Sequence, residues 1–84
     1  MGKNPWGLIK SRTVKRALKR LAKKELIDLT DEGRHWKVEL KNGMDSYPIP
    51  LSHREANLFI VKGLAEWLEK HKICSEEEFM RDAR

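Results

Sequence analysis

The apolar positions of this chain change period twice, and each change marks a new kind of element. Val14, Ala17, Leu18, Leu21 and Ala22 recur at i, i+3, i+4, i+7 and i+8, the spacing of one helical face. Arg12, Lys15, Arg16, Lys19, Arg20 and Lys23 fill the other positions. The pattern predicts a first amphipathic helix over roughly Thr13 to Lys24, capped by Ser11 or Thr13. The period then falls to two. Glu25 to Thr30, with Leu26, Ile27 and Leu29, reads as a short strand, and Asp31-Glu32-Gly33 as a turn. From His35 to Lys41 the alternation is clean: Trp36, Val38 and Leu40 take one face, and His35, Lys37, Glu39 and Lys41 take the other. Asn42-Gly43 predicts a two-residue type I′ hairpin turn, whose central residues both need positive φ. The return strand covers about Met44 to Ile49, and Pro48 and Pro50 place it at a sheet edge because proline cannot donate to a ladder.

The helical period returns with Ala56, Phe59, Ile60, Gly63, Leu64, Trp67, Leu68 and His71. Ser52 and Glu55 have capping-box spacing, which starts this helix near Ser52 and runs it to about Lys70. His53 then falls in the capping region. Gly63 within the helix points to a close packing contact. Ile73, Ser75-Glu76-Glu77-Glu78 and Phe79 suggest a last helical turn capped by Ser75, followed by a frayed tail from Met80 to Arg84.

The order is helix, strand, strand, strand, helix. An α+β fold with two helices packed on one face of a three-stranded antiparallel sheet is the economical way to bury both apolar stripes. That is the layout of the double-stranded-RNA-binding domain. With 84 residues the chain has room for one domain, preceded by an irregular arm over residues 1–10 and followed by a short turn or tail over residues 75–84. Trp36 and Trp67 read as core; Trp6, in the arm, is open to stacking on a base.

Charge changes this picture more than composition does. Residues 1–24 hold nine of the eighteen basic side chains and none of the thirteen acidic ones, so the remainder carries nine basic against thirteen acidic. Such asymmetry points the front of the molecule at an anionic partner, most often nucleic acid. No apolar run approaches the roughly 18 residues of a transmembrane helix, and no secretory segment precedes the basic stretch, so no membrane association is expected. The single cysteine, Cys74, can form no internal disulfide and suits a reducing, cytoplasmic setting.

His35 carries the candidate chemistry. It lies opposite Trp36, hence toward solvent, with Arg34 beside it and Lys37 two residues on. An imidazole can take a proton from a ribose 2′-hydroxyl, and neighbouring cations can hold the phosphate. No histidines share a metal-ligand spacing and no glycine-rich phosphate loop occurs, so neither metal nor cofactor is expected.

At this histidine the chain resembles a known family. Gly33-Arg34-His35-Trp36-Lys37-Val38 is similar to the Gly-Ser-His-His-Lys-Phe type signature of HicA toxins, small mRNA interferases with a double-stranded-RNA-binding-like fold. Asn42-Gly43 stands where that family has Asp-Gly, and Tyr47-Pro48-Ile49-Pro50 resembles its strand ending in Val-Pro. Lys62-Gly63-Leu64 with Leu68, and then Ile73 to Phe79, resemble its last helix and its ending. The resemblance spans about residues 13 to 80. Arg34 and Trp36 depart from the family's serine and second histidine, and Ser52 to Asn57 reads as an early helical start where the family has a loop.

The resemblance implies a metal-independent mRNA endoribonuclease of a toxin–antitoxin system, with His35 as catalytic histidine and a cognate HicB-like antitoxin covering the active face. Arg34, Lys37, Arg12, Lys15, Arg16, Lys19 and Lys23 would hold the RNA backbone. The alternatives are a non-catalytic RNA-binding module and a winged-helix DNA-binding protein, in which the basic helix would read the major groove.

Overall fold

The computed structural model describes residues 9–83 except 33 and 34. Within them, α1 spans Ser11–Lys23, β1 Ile27–Glu32, β2 His35–Leu40, β3 Ser46–Pro50, α2 Leu58–Lys70 and α3 Glu76–Ala83. The three strands form one antiparallel sheet in the order β1-β2-β3. This is the expected α+β arrangement, with one more helix than the sequence pattern promised. The irregular arm, Trp6 included, falls largely on residues 1–8 and so lies outside the described residues.

Register decides which side chains share a face. Trp36 pairs with Ile49 and Val38 with Tyr47 on one side of β2, and Val38 also pairs with Leu29 on the other. These residues face the helices: Trp36, Val38 and Ile49 are buried, and Tyr47 and Leu29 partly so. His35 pairs with Pro50 and Lys37 with Pro48, so these four share the open face and all are exposed. Val14, Leu18, Val61, Leu64 and Leu68 close the core from α1 and α2.

The helix ends follow local chemistry. At the close of α1, Leu26 N donates to Leu21 O at 3.1 Å and Glu25 N to Ala22 O at 2.9 Å. At the close of α2, Ile73 N donates to Leu68 O at 2.9 Å and Lys72 N to Glu69 O at 3.0 Å. Both are Schellman motifs, and both place a non-glycine residue in the left-handed region: Glu25 at φ 60° and Lys72 at φ 59°. The first motif occupies Lys24 to Leu26. That is why β1 begins at Ile27 rather than at Glu25.

Three local expectations are corrected. The second helix is not capped by Ser52 and Glu55. Asn57 caps it, its Oδ1 accepting from Phe59 N at 2.9 Å and Ile60 N at 3.2 Å. Ser52 to Ala56 form a loop whose backbone is used elsewhere: Arg54 O accepts from Ser11 N and Ala56 N donates to Ile9 O, both at 2.9 Å. A helix starting at Ser52 would need Ala56 N for the Ser52 carbonyl and Arg54 O for Leu58 N, and both groups are paired instead with the strand-like entry to α1. The hairpin turn is likewise not type I′. Gly43 takes a positive φ of 72° but Asn42 does not. Gly43 N donates to Leu40 O at 2.9 Å, while Asn42 Oδ1 accepts from Met44 N at 2.9 Å, so a longer loop closes on Asp45. Finally, the tail is not frayed over Met80 to Ala83, the part of it within the described residues. Ser75 Oγ caps α3 by accepting from Glu78 N at 3.0 Å, and Phe79, Met80 and Ala83 are buried against α1 and α2.

Gly63 marks a close approach of α2 to β3. A Cβ there would stand 2.5 Å from Tyr47 Oη and 3.6 Å from Cζ. That hydroxyl donates to the Ile60 carbonyl at 3.0 Å. Gly63→Ala must displace it, and the loss outweighs the better helix propensity of alanine, giving a net destabilisation of about 1 kcal/mol. In a Tyr47→Phe background the clashing atom is gone, and the same substitution is expected to stabilise by up to about 1 kcal/mol. Urea unfolding of the four proteins reads the reversal; equal signs in both backgrounds would refute the packing explanation.

Candidate functional site

His35 opens β2 on the exposed face of the sheet, at the end where β3 finishes with Pro50. There the chain turns through Leu51 and Ser52 to His53 before reaching α2. The result is an open cleft of about 620 Å³ lined by His35, Pro50, Ser52, His53, Glu55 and Asn57, with Ala56 and Ile60 as its apolar part. The alternation of β2 puts His35 here, because Trp36 next to it is drawn into the core at 3% exposure.

A second hollow, of about 570 Å³, adjoins the first. Lys10, Arg12 and Lys15 at the start of α1 line it together with His53, Arg54 and Glu55 from the loop. Backbone pairing brings the two segments together. Lys10 and Glu55 form an antiparallel bridge, flanked by the bonds of Ser11 and Ala56 described above. Ser11 Oγ adds a hydrogen bond to the His53 carbonyl at 2.5 Å. Ser11 is therefore buried at 4% exposure, and it fastens the loop rather than capping its own helix. Thr13, the other expected cap, directs its Oγ1 at the carbonyls of Lys10 and Ala83. His53 borders both hollows and joins the histidine on the sheet to the cations on the helix.

The expected nucleic-acid contacts separate into groups. Arg12 and Lys15 line the basic hollow. Lys15 and Lys19 also fold over Trp36, with Nζ 5.4 Å and 5.7 Å from its ring centroid. Their stems cover the indole and their charges lie against its π face, so part of the basic stripe is tied to the core. Arg16 and Lys23 are exposed on α1. Lys37 shares the open face with His35, and its Nζ lies 3.8 Å from Glu39 Oε1. Arg34 falls outside the described residues. Arg20 is engaged with Asp82 at 2.6 Å, an exposed pair that joins α1 to α3.

Sequence reasoning missed Lys10, His53 and Arg54 as neighbours in one basic hollow. His53 and Arg54 adjoin Pro50-Leu51-Ser52, and a loop reading of that segment would have exposed the pair. The capping-box pattern hid it.

The other polar cluster is structural. Asp45 in the hairpin accepts from Trp67 Nε1 at 2.9 Å, and the same Oδ2 lies 3.2 Å from His71 Nε2. The indole N–H, then the backbone N–H of Ser46 and the His71 ring, hold the Asp45 carboxyl below the usual carboxylate range. Trp67 is thus half-buried with its polar edge satisfied, packed between Tyr47 and His71. Burial, with Glu78 and Asp82 nearby, pushes the Cys74 thiol up, which leaves little thiolate for nucleophilic work. No three metal-ligating side chains converge among the described residues, and no described helix is long and apolar enough to cross a membrane. Comparison with protein-family models, curated proteins and solved structures finds no match to this chain.

Proposed function

We propose that this chain is a small cytoplasmic RNA-binding domain that cleaves mRNA without a metal, in the manner of a HicA-type toxin. The observation that carries the reading is the exposed His35 in a cleft whose rim continues into the cationic hollow of Lys10, Arg12, Lys15 and Arg54. A phosphodiester backbone lying along that rim meets positive charge first and an imidazole next. His35 serves as general base, taking the proton of a ribose 2′-hydroxyl as its oxygen attacks phosphorus. Lys37 on the same face, and the cations of α1, hold the phosphates in register and offset their charge. The loop over Ser52 to Ala56 supports the reading as well, because it falls where the HicA pattern has its loop. A cognate HicB-like antitoxin is the partner this reading implies, seated over the open face around His35.

The test compares RNA with DNA of the same sequence, both in excess EDTA. Cleavage confined to RNA, leaving 2′,3′-cyclic phosphate and 5′-hydroxyl ends, is the expected result, since the nucleophile belongs to the substrate. Cleavage of both polymers, or of neither, would sink the proposed reaction. Salt-dependent binding with no cleavage would leave the alternative of a non-catalytic nucleic-acid-binding module. The exposed Arg16 and Lys23 on α1 favour that alternative, because their charge lies outside both hollows.

A further inference from the structure

We propose that His53 is the second acid–base group of the cleft and protonates the oxygen that leaves when His35 activates the attacking hydroxyl. The inference rests on the RNA-cleavage reading of His35. It begins from placement. In-line displacement at phosphorus puts the incoming and departing oxygens on opposite sides of the phosphate, so one base cannot serve both. His35 and His53 come from different segments, a strand and a loop, and line the same cleft. His53 alone of the two also borders the cationic hollow. A phosphate drawn toward Lys10, Arg12, Lys15 and Arg54 therefore has one imidazole at the boundary of that hollow and the other beyond it.

The loop holds His53 through its backbone, which leaves the ring uncommitted. Its carbonyl accepts from Ser11 Oγ, and the neighbouring Arg54 and Ala56 pair with Ser11 and Ile9. Among the described residues the ring makes no hydrogen bond or ion pair, and the residue is exposed. The helix-capping role that its sequence position suggested belongs to Asn57 instead. The charged and titratable groups around His53 are Glu55 and Arg54 on its own loop, Lys10, Arg12 and Lys15 from the start of α1, and His35 from β2.

The step balances. The 2′-oxygen–phosphorus bond forms as neutral His35 takes the hydroxyl proton. The phosphorus–5′-oxygen bond breaks with its electron pair on oxygen, and cationic His53 supplies the proton. The products are a 2′,3′-cyclic phosphate and a 5′-hydroxyl, with one proton taken up and one released by the protein.

The experiment uses two substrates that differ in the leaving group, a dinucleotide with its natural 5′-oxygen and the matching nucleoside 3′-(4-nitrophenyl phosphate). Nitrophenolate departs without a proton. His53→Ala is expected to slow the dinucleotide by about 10²–10⁴-fold while cleaving the nitrophenyl ester at nearly the wild-type rate. His35→Ala should be slow on both. The bell-shaped pH dependence of the wild type should lose its alkaline limb in His53→Ala and its acid limb in His35→Ala. His53→Gln, which keeps bulk and hydrogen-bonding capacity, should behave as His53→Ala does. Equal slowing of both substrates by the His53 variants, or no slowing, overturns the proposal while leaving His35 as base. Failure of the wild type to cleave either substrate overturns the RNA-cleavage reading and this inference with it.

Discussion

His35→Ala is expected to cut RNA cleavage by about 10²–10⁴-fold, the usual contribution of one positioned acid–base group. Folding and RNA affinity should be almost unchanged. The separation follows from where the side chain sits. His35 is exposed at the first position of β2, and its ring makes no hydrogen bond or ion pair among the described residues. Truncating it removes no packing and leaves no buried polar atom unpaired, so the unfolding midpoint should move little. On the proposed reading, binding would rest on cations elsewhere: Lys10, Arg12, Lys15 and Arg54 in the hollow, and Lys37 on the sheet. The contrasting variant is Arg12→Glu with Arg54→Glu. It should weaken RNA binding steeply at low salt and flatten the salt dependence, the slope of log K against log salt falling by roughly 0.7 per lost phosphate contact on a single strand. Cleavage assays and binding titrations on the same preparations separate the two effects. A His35→Ala protein that loses binding in step with cleavage would show that the histidine holds RNA rather than acting on it.

Truncation after Cys74 is expected to abolish cooperative unfolding of the chain. The residues removed include Phe79, Met80 and Ala83, at 2%, 0% and 0% exposure. Full burial of a phenylalanine or methionine stabilises by about 1.5–3 kcal/mol each. Removing α3 also bares the faces of α1 and α2 that it covers, and deletes Thr13's contact with the Ala83 carbonyl and the Arg20–Asp82 pair. A domain of this size is stable by only about 0.05–0.15 kcal/mol per residue, so the loss consumes most of what holds it. Phe79→Ala alone should cost about 3–5 kcal/mol, which thermal or urea unfolding can resolve. A truncated chain that still melts in one sharp transition would restore the frayed-tail reading.

Periodicity settled much of this molecule. The stripe from Val14 to Leu21 could bury only as a helix, and the alternation of Trp36 and Val38 against His35 and Lys37 only as a strand. The exposure of His35 follows from that alternation alone, because a period of two leaves no choice of face once Trp36 is inside. Asn42-Gly43 located the hairpin but not its geometry. Asn42 Oδ1 has a backbone partner in Met44 N, and that bond stabilises a loop longer than the two-residue turn. The end of the chain misled for a different reason. Phe79, Met80 and Ala83 make a stripe of three positions among charged neighbours, too short to distinguish a buried helix from a tail. What decides it is the groove between α1 and α2, which is assembled from residues distant in sequence.

The site divides along the same line. By itself the sequence determined the helix–strand–strand–strand–helix order, the core face of α1 and of β2 at Trp36 and Val38, the concentration of positive charge before Glu25 and the exposed imidazole at position 35, because each follows from local spacing or composition. The face of α2 it misjudged, since Phe59 of the expected stripe is 83% exposed while Val61 and Ala65 are buried. Only the tertiary structure decided which charges gather in the hollow beside that imidazole's cleft. The pairing of Lys10 with Glu55 and the Ser11 bond to the His53 carbonyl join segments more than forty residues apart. Those contacts turn an apparent capping box into a loop and bring His53 and Arg54 beside Arg12. The fold also sets Lys15 and Lys19 over Trp36, so part of the basic face of α1 is tied to the core. Backbone groups satisfied across such a distance leave no periodic trace in either segment, and only the folded chain shows them.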